Sequence, residues 1–498
     1  MKQQRSDQYR GYRTAGIRLS EDLAPAHRLG REFGERASLY AFHMFDKAHL
    51  VMMTEEAIIS RAHGAAMLRA LREMEQEGME DVRSTIGGGM HSGEVYLIRK
   101  LGEEVGGWEH LGRSSVDLGA VGSRIRERDR LLEVLEALNG TREAVLKLAG
   151  AHLETVFPGY FSWQHAQPIS LGHYLVALAS GLERDFERGR ECYGRVNRSP
   201  AGSVVMTGSA LPLDRARTAR LLGFDAVHVN TLDAALDQDH VHECFAVLGM
   251  LAAHLSRFGE DLAVWSGTDF GLIDVADRFA AGSSILMQMK TPIVWSQMKG
   301  GVAGGMVSGY LATKTATGMG SLDRRYADEP FNAAFQDVTA ILNLLPHALG
   351  AVSVDAERAR ASVDGQYTAA TDLAGLLVAE RGVPWRTAHQ ICGILFRHCS
   401  ARGVKPDQLT PEMVDEAAVE YFGKPMGLSQ QHIREGLDAD RFLKRRTGIG
   451  GPAPEEAARQ IGELGRTLAA DMSWVEGRRL ALADAAGELE RAIDVIVG

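Results

Sequence analysis

VHECFAVLGMLAAHLSRFGEDL, residues 241–262, sets Val241, Cys244, Phe245, Leu248, Leu251, Leu255, Phe258 and Leu262 along one side of a 3.6-residue spiral. Such a stripe predicts a long amphipathic helix. Its apolar face must be covered, either by neighbouring helices or by other subunits. A second stripe starts at Leu131 and continues through Val134, Leu135, Leu138, Val145, Leu148 and Ala149, with Asn139-Gly140 as the expected kink. The Leu, Met and Phe side chains of both stripes read as core. No comparable period-2 run of β-branched residues stands out, so the expected class is all-α.

The rest of the composition fits a globular chain. Of 498 residues, 45% are hydrophobic and 24% charged, which excludes a disordered, collagen-like or small disulfide-stapled protein. At roughly 150 residues per domain the length suggests about three domains. Sixty-five acids against fifty-five Lys plus Arg give a net charge of −10, so no basic footprint for nucleic acid exists. A small anion would need a locally positive pocket. No run approaches the roughly 18–20 apolar residues of a membrane span. The polar start MKQQRSDQYRGYRTAG lacks the apolar core of a signal peptide, and a cytoplasmic location is expected. Cys192, Cys244, Cys392 and Cys399 follow no zinc or CxxC spacing and read as buried reduced thiols.

Glycine clusters in GGGMHSGE (Gly87 to Glu94) and again between Gly300 and Gly320. Neither cluster fits a nucleotide-binding loop. The second reads as turns and close helix approach; the first reads equally well as mobile backbone beside a site. Ala370-Thr371-Asp372-Leu373 opens a fresh amphipathic segment, and RRTGIGGPAP (Arg445 to Pro454) breaks the chain before an expected final helix pair. The expected division is an N-terminal helical domain over 1–116, a central bundle over 117–369 and a C-terminal helical domain over 370–498.

Three stretches are polar where a bundle would want apolar residues: HLGRSSVD (His110 to Asp117), QHAQP (Gln164 to Pro168) and GSSILMQMKTP (Gly282 to Pro292). Singly, an Arg-Ser-Ser reads as a helix cap and a Gly-Ser-Ser as a plain loop. Together, in this order and spacing, they resemble the aspartase/fumarase superfamily, and within it argininosuccinate lyase. That family reads HTGRSRND, PGYTHLQRAQP and GSSxMPxKxNP, against HLGRSSVD, PGYFSWQHAQP and GSSILMQMKTP in this sequence. The segments SPAGSVVMTGSALPLDR (Ser199 to Arg215), NTLDAALDQDHV (Asn230 to Val241), EDLAVWSGTDFGLI (Glu260 to Ile273) and ATDLAGLLVAERGVPWRTAH (Ala370 to His389) are also similar to family sequence. The resemblance runs from about Asp46 to Arg466.

The resemblance implies a three-domain, all-α fold in a homotetramer whose central domains form one 20-helix core. Each active site would combine the three stretches from three subunits. The implied chemistry is anti elimination from a succinyl group to fumarate, with no metal or organic cofactor, on a small dicarboxylate or amino-acid substrate. No nucleic acid or membrane partner is implied. By position, Ser283 would be the base and loop closure would help it, since a serine hydroxyl is a weak base unless positive groups surround it. Arg113, Ser114 and Ser115 would hold substrate carboxylate. Gln167, Ser162, Ser284 and Lys290 would complete the binding set.

The departures bear on the substrate. Phe161-Ser162 stands where the family has Thr-His, so the histidine linked to proton donation is missing. Val116 replaces an asparagine, Met289 the loop lysine, Thr291 an asparagine, Gln238 an arginine, and Ser321 aligns with a tyrosine. Each lost charge-assisted hydrogen bond costs on the order of 1.5–3 kcal/mol, so argininosuccinate is not the expected substrate. His165 is a candidate replacement acid. His91 and Glu94 lie near the family's histidine-containing N-terminal segment, and Arg324-Arg325 is a candidate source of positive charge. Phe161 and Trp163 suggest an apolar subsite. Three readings follow: a carbon–nitrogen lyase acting on an N-substituted aspartate, an elimination or cycloisomerisation with another leaving group, and a non-catalytic tetramer with a structural or regulatory role.

Overall fold

The computed structural model describes residues 37–86, 89–298 and 325–498. The first helix is α1, Ala37–Glu55. The bundle is built from α2 (Ser115–Ala151), α3 (Leu171–Val196), α4 (Asp239–Trp265), α5 (Arg325–Leu349) and α6 (Pro454–Val497). Helix α2 packs against α3, α5 and α6, and α3 packs in turn on α4 and α6. Helix α2 begins at a capping box: the Ser114 hydroxyl accepts from the Val116 N–H, and the Asp117 carboxylate accepts from the Ser114 N–H. It then runs 37 residues through Asn139-Gly140. The helix does not end there because Asn139 is buried and its side-chain oxygen accepts from Arg142, which also pairs with Asp471 of α6.

Both apolar stripes are covered within one chain, apart from Leu148 of the second, which is half-buried. All eight stripe positions of α4, from Val241 to Leu262, are at most 5% exposed. The helices are therefore sheathed by one another, and stripe length does not by itself require other subunits. Each fully buried Leu stabilises by about 1.5–3 kcal/mol relative to exposure.

Among the described residues, three large cores and one small one result. One fills the bundle. A second joins α1 and the Arg61–Gln76 helix to Leu118, Val121 and Ile125 at the start of α2 and to Leu489, Ile493 and Ile496 at the end of α6. A third sits among the helices Ala370–Arg381, Trp385–Arg402 and Pro411–Phe422. The expected final helix pair is one helix of 44 residues, because Gly462, Gly465, Gly477 and Gly487 are tolerated within it. The described residues also hold three two-stranded sheets, which the sequence pattern did not announce. One is a hairpin, β1 (Val156–Phe161) with β2 (Gln164–Ser170). Another pairs β3 (Ile273–Val275) with β4 (Val352–Val354). No helix among the described residues is long and apolar enough to cross a membrane.

Candidate active site

The first polar stretch forms the turn that leads into α2. Gly112 has φ +73°, and a Cβ there would meet a Leu213 methyl at 3.1 Å, so both backbone and space favour glycine. This turn sends Arg113 inward. Its side chain is 1% exposed, and the guanidinium donates to Asp46 at 2.8 Å, pairs with Glu109 and lies 5.1 Å from the Phe45 ring centre. Both ends of the guanidinium are thus taken by carboxylates of its own chain. Asp46 also binds the fully buried Arg83. Burial alone would raise the Asp46 carboxyl, but the Arg83 and Arg113 charges outweigh it and hold it below the usual range.

Behind this cluster, burial and then the Arg113 charge push His49 down to about 3. The ring is therefore neutral, and its Nε2 donates to the Leu111 carbonyl at 2.8 Å. Ser114 is spent on the helix cap. Ser115 lies 2.8 Å from His91 Nε2. The His91 ring faces His110, with centres 4.9 Å apart, and both histidines flank Glu94. Burial, then the His110 charge, hold His91 below its ordinary value. Asp117 is pushed up to about 6 by burial, which outweighs the N–H groups it accepts from.

The second stretch is the β1–β2 hairpin. Ser162 and Trp163 have φ of +51° and +61°, a two-residue turn with both residues left-handed. That geometry matches the right-handed strand twist but favours Asn-Gly, so a Ser-Trp pair there stores strain. The turn leaves Phe161 78% and Trp163 52% exposed. Trp163 and His165 both lie near the Tyr160 ring, with centres 6.5 and 5.0 Å away. His165 Nε2 is 2.9 Å from the Ser362 hydroxyl, and burial lowers its pKa. A ring held neutral is a poor proton donor at neutral pH. Gln167 donates to Thr371 at 3.2 Å. Ser162 is exposed at the tip.

The third stretch is a loop pinched at its base. Ala281 and Thr291 exchange two backbone hydrogen bonds of 2.8 Å, and the residues between them bulge outward. Ser283 Oγ accepts from the Ile285 and Leu286 N–H groups at 3.3 and 3.0 Å, while Ser284 is exposed. Lys290 folds back onto Asp274 at 2.9 Å and Asp277 at 3.0 Å. Burial opposes its charge, but the two aspartates prevail and raise its pKa. The loop tip carries Ile285, 77% exposed, and Met287, 85% exposed.

The named partners of each stretch lie outside the other two. In a single chain these contacts do not bring Ser283 against Arg113 or Gln167. Seven residues were missed as partners: Asp46 and Glu109 on Arg113, Ser362 on His165, Thr371 on Gln167, Asp274 and Asp277 on Lys290, and His110 beside Glu94. Only His110 carried a signal, as the first residue of its stretch. The second glycine cluster, Ser321 and Arg324 lie outside the described residues, as does the Arg325 side chain; Gly87 and Gly88 of the first cluster do too.

The family described as lyase matches residues 3–304, and that described as argininosuccinate lyase C-terminal matches residues 367–444. Argininosuccinate lyase of Methanoculleus marisnigri is 36% identical over 486 residues, covering 97% of each chain. That of Methanosarcina acetivorans is 36% identical over 423 residues, covering 84% of this chain and 85% of its own. Among solved structures, EDDS lyase in complex with formate superposes with a TM-score of 0.89 at 29% identity over 98% of both chains. The 3-carboxy-cis,cis-muconate lactonizing enzyme of Pseudomonas putida shares the fold, with a TM-score of 0.68 at 19% identity, covering 92% of this chain and 98% of its own. With the stretches in place on this fold, the chain belongs to the argininosuccinate lyase family of the aspartase/fumarase superfamily and is a lyase.

Proposed function

We propose that the protein is a carbon–nitrogen lyase that releases fumarate from an N-substituted aspartate other than argininosuccinate, working as a homotetramer with shared active sites. Ser283 carries this reading. Two backbone N–H groups donate to its Oγ and favour the anionic form that a base requires. Ser283, as its alkoxide, takes the proton from the carbon beside a carboxylate, and the electron pair of that bond forms the double bond of fumarate. The carbon–nitrogen pair leaves on nitrogen, which takes its proton from water. The aci-carboxylate formed on the way needs fixed donors. Ser115 and the amino end of α2 supply a hydroxyl and a positive dipole end for one carboxylate. Arg113, closed in by Asp46 and Glu109, acts on this site by fixing the turn in front of the helix.

The relatives support the product. A doubly substituted variant of EDDS lyase, 28% identical to this chain, holds fumarate. The missing Thr-His pair and loop lysine argue against argininosuccinate, and the exposed Phe161 and Trp163 favour an apolar group on the leaving amine. The apolar loop tip at Ile285 and Met287 would meet neighbouring subunits or the closed site. Incubating the protein with fumarate and a panel of amines, read by mass spectrometry, tests the proposal. A new N-substituted aspartate that is absent with Ser283→Ala is the expected result. No adduct with any amine, or an adduct made equally well by Ser283→Ala, overturns it.

A further inference from the structure

The mechanism above leaves His91, Glu94 and His110 without a task. His91 ends a short 3-10 turn, Glu94 lies one helical turn on, and His110 comes from the turn before Arg113. One ligand atom from each lies within 4.8 Å of the others. His91 Nδ1 is 3.7 Å and His110 Nδ1 4.0 Å from Glu94 Oε2, too far for hydrogen bonds. Bonds of about 2.0–2.2 Å to one cation would put such atoms about 3–4 Å apart, so small side-chain movements close the set.

Two further observations point the same way. His110 Nδ1 is buried with no hydrogen-bond partner. The Ser115 hydroxyl lies 2.8 Å from His91 Nε2, a contact that holds the ring with Nδ1 toward Glu94, as outer contacts orient a ligating imidazole. The nearby Arg113 charge, which would repel a cation, is neutralised by Asp46 and Glu109.

We infer that His91, Glu94 and His110 form a binding site for a late first-row divalent cation such as Zn²⁺ or Co²⁺. Two imidazoles and one carboxylate suit these ions better than Mg²⁺ or Ca²⁺, and three protein ligands leave a position open. The side chains are 27–31% exposed, so the open position faces solvent beside the start of α2. A carboxylate of the substrate can take it, which would restore positive charge lost with the family's loop lysine. That second step rests on the lyase reading; cation binding does not.

The test uses full-length protein freed of metal by dialysis against chelator and titrated with CoCl₂. Visible absorption bands of bound Co²⁺ with one ion per chain are expected. Affinity should fall at least tenfold in Glu94→Gln and in His110→Asn, each shown folded by circular dichroism, and should be unchanged in the exposed control His389→Ala. No bands, or bands of equal strength in both variants, overturn the site. Fumarate added to the Co²⁺ protein should shift the bands; unshifted bands overturn the carboxylate step alone. Ser283→Ala should keep the bands while losing adduct formation, which separates failure of the site from failure of the lyase reading.

Discussion

Replacing Asp46 with asparagine removes the single negative charge that bridges two buried arginines. The Asp46, Arg83 and Arg113 side chains are each at most 1% exposed. At an effective dielectric of about 20, a pair with charges about 4 Å apart gains roughly 4 kcal/mol, so the two pairs gain roughly 8 kcal/mol gross. Desolvation of the carboxylate offsets several kcal/mol of this. After the substitution Arg113 keeps Glu109. Arg83 keeps the Ser92 hydroxyl at 3.2 Å and the His43 ring at 3.1 Å, and burial lowers the His43 pKa so that the ring is neutral. The orphaned charge is therefore mainly Arg83. Asp46→Asn should cost about 3–5 kcal/mol of unfolding free energy, the range for a buried ion pair broken on one side. Urea unfolding at pH 7 and one fixed chain concentration reads it, since assembly couples stability to concentration. Adding Arg83→Met should recover about 1–3 kcal/mol, because the stranded charge goes too. A cost below about 1 kcal/mol, or a double variant whose losses simply add, would refute the account.

Two further expectations use the same assay. Folding raises Asp117 from an ordinary carboxyl value to about 6. The folded chain thus keeps a proton that the unfolded chain sheds, and this group's stabilisation is full below about pH 4 and is lost as pH climbs to 6, about 3 kcal/mol in all. Asp117→Asn should accordingly gain on the natural protein between pH 4 and 7; a difference that does not vary with pH counts against burial as the cause. At the hairpin, Ser162→Asn together with Trp163→Gly supplies the residues that a left-handed pair prefers. It should raise stability by about 1–2 kcal/mol, and an unchanged or lower value would mean the turn is unstrained.

The helices were legible because burial within a bundle forces a 3.6-residue period, as the α4 stripe shows. The hairpin was not legible. Its strands carry Pro158 opposite Pro168, the register shifts between Pro158 and Tyr160, and its turn is Ser-Trp rather than Asn-Gly. The motif stretches could be located from residue order alone. What each side chain holds could not: Asp46 meets Arg113 across 67 positions and Gln167 meets Thr371 across 204. Such pairings are set by packing, and sequence spacing carries no trace of them. The same limit explains why Arg113 reads as a ligand clamp in the sequence and sits closed on two carboxylates in the fold.

Helix α6 ties the N-terminal core to the far end of the chain. Leu489, Ile493 and Ile496 pack with α1 and the Arg61–Gln76 helix, and Arg69 donates to the Val497 carbonyl at 2.6 Å. During synthesis, the start of α2 covers part of these apolar faces early, but the part that α6 covers must wait more than four hundred residues. The nascent chain therefore carries that part of the surface open through most of translation, and a chain stopped before residue 489 leaves it uncovered. Contacts of such sequence separation slow folding and lengthen the exposure of that surface to aggregation.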